Sequence, residues 1–249
     1  MVLDPKAVAV LLLSLLSVLT TAIGVLLAVL IRENARAIAA GIGFSTGIMV
    51  LVSVLELIPE AYRSMGAAGT GLTILVGASL IWAANFLIPH GHLIREHKLA
   101  DTRLIRSAHL VVIGLILHDV PEGFAMANAY IASPETGLLV ALAIALHNIP
   151  EELAMAVPAI TLRSKRFLIG AAALSALAEP VGAIVGLFAL EINPGLNGFF
   201  MALAAGAMLF VSLHELLPMA RRYRRIGWFA AGLAISIVVH ELLELATGG

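Results

Sequence analysis

Cysteine is absent from this 249-residue chain, so disulfides and thiolate metal sites are both excluded. Charge is scarce. Asp, Glu, Lys and Arg make up 12% of the residues, against ~25% in a soluble domain. The formal net charge is −1, and no chain-wide basic field points to nucleic acid as a partner. What is present is apolar: 61% of residues are hydrophobic, with a mean hydropathy of +1.03. That balance defines an integral membrane protein before any motif is considered.

A membrane-crossing helix needs ~20 mostly apolar residues. Eight stretches qualify: Ala7–Ile31, Ile38–Pro59, Thr70–Pro89, Ser107–Tyr130, Gly137–Ile160, Phe167–Leu190, Leu196–Pro218 and Ile226–Leu245. The first is too long for a signal-peptide core and reads as a span. Links are short, the longest being His90–Arg106. The expectation is an all-α integral membrane protein forming a single transmembrane domain over residues 1–249. Basic residues set its orientation. Alternate links hold thirteen Lys and Arg, while the opposite side holds only Lys6 and Arg63. The basic links are therefore expected in the cytoplasm, with both termini outside it.

Two pairs of segments repeat. GIMVLVSVLELIPEA from Gly47 aligns with GAMLFVSLHELLPMA from Gly206, with Met49/Met208, Ser53/Ser212, Glu56/Glu215 and Pro59/Pro218 in register. These segments fall in spans two and seven, which run in opposite directions. HDVPEGFAMA from His118 likewise aligns with HNIPEELAMA from His147, in the antiparallel spans four and five. An inverted repeat follows, with spans one to three against six to eight around a central pair: a 3+2+3 arrangement.

The central pair carries the chemistry. Spacings of three and four put side chains on one helix face. Glu122 therefore shares a face with His118 and Asp119, and Glu151 with His147 and Asn148. If the two helices face each other, two adjacent sites form, bridged by the glutamates. One is His118, Glu122, His147 and Glu151. The other is Asp119, Glu122, Asn148 and Glu151, with Glu179 of span six as its further ligand. Imidazole with carboxylate, without thiolate, suits zinc first, then iron, manganese, cobalt or nickel. Such ligands bind deprotonated, so metal binding should release protons. Pro121, Pro150 and Pro180 each remove a backbone donor, freeing the carbonyls of Leu117, Leu146 and Ala176. Freed carbonyls are tolerated in a membrane where they line a polar cavity, so the three prolines point to a midplane site.

Other polar residues carry less. Glu56, His214 and Glu215 lie near span ends. His240, Glu241 and Glu244 have ligand spacing at the outer end of the last span, where a solvated helix end is the simpler reading. His90, His92 and His97 occupy the long cytoplasmic link. Glu152 points about 100° away from Glu151 and reads as a supporting or gating residue.

These motifs resemble the ZIP (Zrt-, Irt-like) family of divalent metal transporters, in its prokaryotic form. The resemblance rests on HDVPEG, HNIPEE, the AEP around Glu179, and the ELIPEA/HELLPMA pair. It implies eight helices, a binuclear metal centre between helices four and five, inward transport and a homodimer. By position it carries the metal roles onto His118, Asp119, Glu122, His147, Asn148, Glu151 and Glu179. Two residues depart from the usual pattern: Asp119 stands where Asn is common, and Glu152 where Gly is common. Both add negative charge.

The expected function is secondary transport of a divalent metal, zinc first, into the cytosol. Fe2+, Mn2+, Co2+, Ni2+ and Cd2+ are the other candidate ions, and no prosthetic group is expected. Competing readings are an intramembrane hydrolase and a metal sensor. A zinc protease would want His-Glu-x-x-His on a helix, and HELLE at His240 and HELLP at His214 both lack the second His. No enzyme is expected.

Overall fold

In the computed structural model the described residues are 4–31, 34–87, 119–161 and 164–247, and among them the ordered structure is helical throughout. The helices are α1 (Pro5–Ser14), α2 (Leu16–Ile31), α3 (Ala35–Leu51), α4 (Ile58–Leu87), α5 (119–132), α6 (Pro134–Thr161), α7 (Lys165–Ile192), α8 (Asn197–Val211), α9 (Leu217–Arg222) and α10 (Ile226–Thr247). His118, the link from His90 to Arg106, and the first part of the fourth expected span lie outside the described residues. Five described stretches are long and apolar enough to cross a membrane: Pro5–Leu30, Ala35–Ala83, Lys165–Ile192, Asn197–His214 and Ile226–Thr247. At 49 residues, Ala35–Ala83 is about twice what one crossing needs. It divides at Gly66, whose φ of 69° and ψ of 177° interrupt the helix. Only glycine takes that conformation without strain. The link expected between spans two and three is thus one glycine, not a ten-residue loop.

The helices are amphipathic in the reverse sense of a soluble protein. Along α1 and α2, Ser14, Ser17, Thr20, Thr21 and Ala28 are buried, while Leu12, Leu15, Leu19, Leu26 and Leu30 are exposed. On α10, Phe229, Gly232, Ser236 and His240 recur every three or four residues on the inner face. Small and polar residues inside, with bulky aliphatics outside, suit a bundle solvated by lipid.

Close backbone approach builds the bundle. A β-carbon at Gly77 would lie 2.0 Å from the Leu203 carbonyl oxygen, and one at Gly206 2.1 Å from that of Ile74, so α4 and α8 cross in contact. Gly43 and Gly232 do the same for α3 and α10. A second group, α2 with α6 and α7, joins these pairs chiefly through α3 against α6.

Spans two and seven share a deformation that their prolines explain. Each passes through a π-helical turn, Val52–Leu57 and Ser212–Leu216, immediately before the Pro59 and Pro218 segments. The N–H of Ile58 reaches back five residues to the Ser53 carbonyl, and that of Leu217 to the Ser212 carbonyl. A proline that cannot donate leaves a ladder position vacant, and the wide turn closes around it. The two turns occupy aligned positions of the sequence repeat. By contrast, α6 and α7 remain helical through Pro150 and Pro180. The Ala176 carbonyl freed by Pro180 does not simply line a cavity. Ser17 of α2 stands 3.4 Å from it, while bonding Ser14 O at 2.8 Å.

Candidate metal centre

Three helices meet where the acidic residues lie. A β-carbon at Gly123 would be 2.0 Å from the Glu179 carbonyl oxygen, and one at Gly182 2.1 Å from that of Val120. Those two contacts seat α5 directly on α7. Next to them, α6 is wedged between α2 and α3. A β-carbon at Gly24 would lie 2.6 Å from the Ile149 carbonyl oxygen, and one at Gly41 2.8 Å from Pro150 Cβ. The absence of side chains at these positions fixes the depth and rotation of the segment His147–Glu152.

Glu122 of α5 and His147 and Glu151 of α6 converge, each offering one ligand atom within 4.8 Å of the others. His147 Nε2 lies 2.9 Å from Glu122 Oε1 and 3.8 Å from Glu151 Oε2. The other ring nitrogen, Nδ1, is 2.8 Å from the Ala143 carbonyl oxygen. A carbonyl only accepts, so Nδ1 carries a hydrogen and donates it. That fixes the tautomer and aims Nε2 at the two carboxylates. Ser45 of α3 donates to the His147 carbonyl at 2.8 Å and holds the backbone from behind. All three converging side chains are buried.

The other expected ligands among the described residues, Asp119, Asn148 and Glu179, surround this core. Asn148 donates through Nδ2 to Glu179 Oε1, joining α6 to α7. Asp119 lies against Ser175 of α7, whose hydroxyl is 2.6 Å from its Oδ2. Asp119, Glu122, Glu152 and Glu179 are all buried, so the acidic side chains lie together inside the bundle. Ser175, Thr21, Ser45 and the Ala143 carbonyl do not stand out in the motifs. Ser175 alone left a signal, four residues before Glu179 on one helix face.

Away from this group, His240 of α10 is buried and its Nε2 lies 3.6 Å from Glu56 Oε1, beyond hydrogen-bond range. His240, Glu241 and Glu244 also bring ligand atoms within 4.8 Å of one another. His214 is exposed and stacks on Phe210 at 4.7 Å between ring centres.

A multi-pass helical membrane protein with imidazole and carboxylates buried on facing helices belongs to the class of intramembrane ion-handling proteins. Comparison makes the class specific. A family model described as ZIP Zinc transporter matches residues 89–245. The chain is 35% identical over 255 residues to the zinc transporter ZupT of Chlorobium luteolum, spanning 94% of this chain and 96% of that protein. It is 38% identical to ZupT of Corynebacterium aurimucosum, over 90% and 93% of the two chains. It is 37% identical to ZupT of Stenotrophomonas maltophilia, over 90% and 92%. The chain belongs to the ZIP family, a family of transporters rather than enzymes.

Proposed function

We propose that this protein carries divalent metal ions, zinc first, across the membrane into the cytosol, through a binuclear site between α5 and α6. One observation carries the reading: Nε2 of His147, held in one tautomer by Ala143, faces the carboxylates of Glu122 and Glu151 inside a lipid-facing bundle. At 2.9 Å, nitrogen and carboxylate oxygen need a cation between them, either a proton or a metal. A metal ion arriving there displaces the proton, which links loading to proton release.

The first site consists of His118, Glu122, His147 and Glu151. The second consists of Asp119, Glu122, Asn148, Glu151 and Glu179. The glutamates bridge, so loss of either disrupts both sites, while loss of His147 weakens the first. Eight spans in a 3+2+3 inverted repeat make up the single domain over residues 1–249. The matched π turns before Pro59 and Pro218 support that reading, as do the paired crossings α3–α10 and α4–α8, which the repeat exchanges. Both termini are extracytoplasmic, following the basic links. Apolar ridges on α2, α7 and α10 meet lipid or the second copy of a homodimer.

The test is zinc-65 uptake into proteoliposomes. Saturable uptake that Glu151→Ala abolishes is expected. Background uptake by protein that still binds zinc would remove the transport reading and leave a sensor. Cysteine at buried Ala125, in a chain without native cysteine, should be labelled from both sides of the membrane as the carrier alternates. Labelling from one side alone, with and without zinc, favours the sensor.

A further inference from the structure

Glu152 is not among the ligands proposed above, yet it is buried beside them, at 5% exposure. It follows Glu151 directly and so points about 100° around α6, toward α2 and α7. Its Oε1 accepts a hydrogen bond from Thr21 Oγ1 of α2 at 3.1 Å. The same oxygen is bonded by the hydroxyl of Ser175. That hydroxyl also lies 2.6 Å from Oδ2 of Asp119. The two positions where this chain departs from the usual motif, 119 and 152, are therefore joined through one serine oxygen.

A serine hydroxyl in contact with two carboxylates ties them together. Thr21 and Glu152 set where the Ser175 oxygen stands, and Ser175 sets where Oδ2 of Asp119 stands. The arrangement cannot drift apart. Ser175 is held against Asp119 by the Gly123 and Gly182 contacts between α5 and α7, and a β-carbon at Gly24 would be 2.5 Å from Glu152 Cβ. Groups that orient a ligand from outside it are worth about 10–100-fold in metal affinity. Here the oriented ligand belongs to the site that has no imidazole, and anionic oxygen favours harder ions.

Resting on the metal-site reading above, we propose that Glu152 is a positioning residue for ion selection. Acting through Ser175, it holds the Asp119 carboxyl in place as an oxygen ligand and biases the second site toward harder divalent ions such as Mn2+ over softer ones such as Cd2+.

The test is zinc-65 uptake into proteoliposomes, competed with Mn2+ and with Cd2+. Glu152→Ala and Ser175→Ala should each lower the preference for Mn2+ over Cd2+ by about tenfold, read as a ratio of inhibition constants. The effect should fall on KM rather than kcat. The double variant should shift no further than either single one, because both changes cut the same link. Ser175→Thr keeps the hydroxyl and should restore the native ratio. An unchanged ratio in both single variants, or additive shifts in the double, overturns the proposal. Should Glu152→Ala fail to insert, Ser175→Ala against Ser175→Thr carries the same decision. Failure of the underlying reading looks different: Glu122→Ala and Glu151→Ala would then still transport zinc. The inference alone fails when those two are inactive and the Mn2+ to Cd2+ ratio does not move.

Discussion

Two clusters of histidine and carboxylate stand among the described residues, and they are built differently. At the centre, His147 donates from Nδ1 to Ala143, so Nε2 is aimed at Glu122 and Glu151 before any ion arrives. Toward the C-terminal end of α10, His240 is as deeply buried, but neither of its ring nitrogens has a hydrogen-bond partner among the described residues and Glu56 stands 3.6 Å away. Its neighbour Glu241 is exposed. The residue types match, and only one set is preorganised. Ligand identity is thus a poor guide to function until the second nitrogen of the imidazole is accounted for.

The largest test of that contrast removes a glutamate proposed to bridge the two sites. Glu122→Ala or Glu151→Ala should reduce zinc affinity by more than about 100-fold and empty both sites, measured by equilibrium binding stoichiometry. His147→Ala should cost about 10- to 100-fold at one site and leave the other loaded. Equal single-site losses in all three variants would break the bridging geometry.

Next in size is the helix contact beneath the central cluster. Gly182→Val drives side-chain atoms into the Val120 carbonyl, already 2.1 Å from a β-carbon there. With no room on the backbone side, α5 must move off α7. Thermal unfolding in detergent should fall by several degrees, in line with about 1–3 kcal/mol of overpacking. Gly227→Val, on α10 where a β-carbon meets nothing within 4 Å, should leave it unchanged.

Proton release comes third. Adding zinc to weakly buffered protein should acidify the medium, because a metal takes the place of a proton between His147 and Glu122. The sign follows: zinc affinity weakens as pH falls, by about tenfold per pH unit for each proton displaced. A flat pH profile would mean that Nε2 of His147 is not the point of exchange. The smallest effect belongs to the α10 cluster. His240→Ala should change the KM for zinc by less than about threefold, since no preset ligand is lost. A larger change would make that cluster part of the path and erase the contrast.

Much of this was legible in order along the chain. Apolar runs mark the spans, and the His-x-x-Pro-Glu units mark the acidic helices. The spacing of three and four places Glu122, His147 and Glu151 on consistent faces. Those are local properties, set by a helical period that residues carry with them. The link between α3 and α4 was not legible. A run of ten mixed residues reads as a loop, whereas one glycine in a conformation closed to other residues makes the turn. Nor were the effects of the prolines. Pro150 and Pro180 sit in unbroken helix, while Pro59 and Pro218 follow wide π turns. Composition cannot tell these outcomes apart, because the answer depends on which neighbour fills the vacated backbone position.

By itself the sequence determined that the protein is a helical membrane protein with a doubled histidine-carboxylate motif. Hydropathy and periodicity are additive along a chain and need no partner to be read. Only the tertiary structure decided which nitrogen of His147 faces the acids, and that Asp119 and Glu152 meet at Ser175. The second depends on hydrogen bonds between helices far apart in sequence, and on glycines that let backbones touch; the first joins a bond within α6, to Ala143, to a contact with Glu122 of α5. A contact across 56 residues, such as Ser175 to Asp119, leaves no period in the chain for a reader to follow.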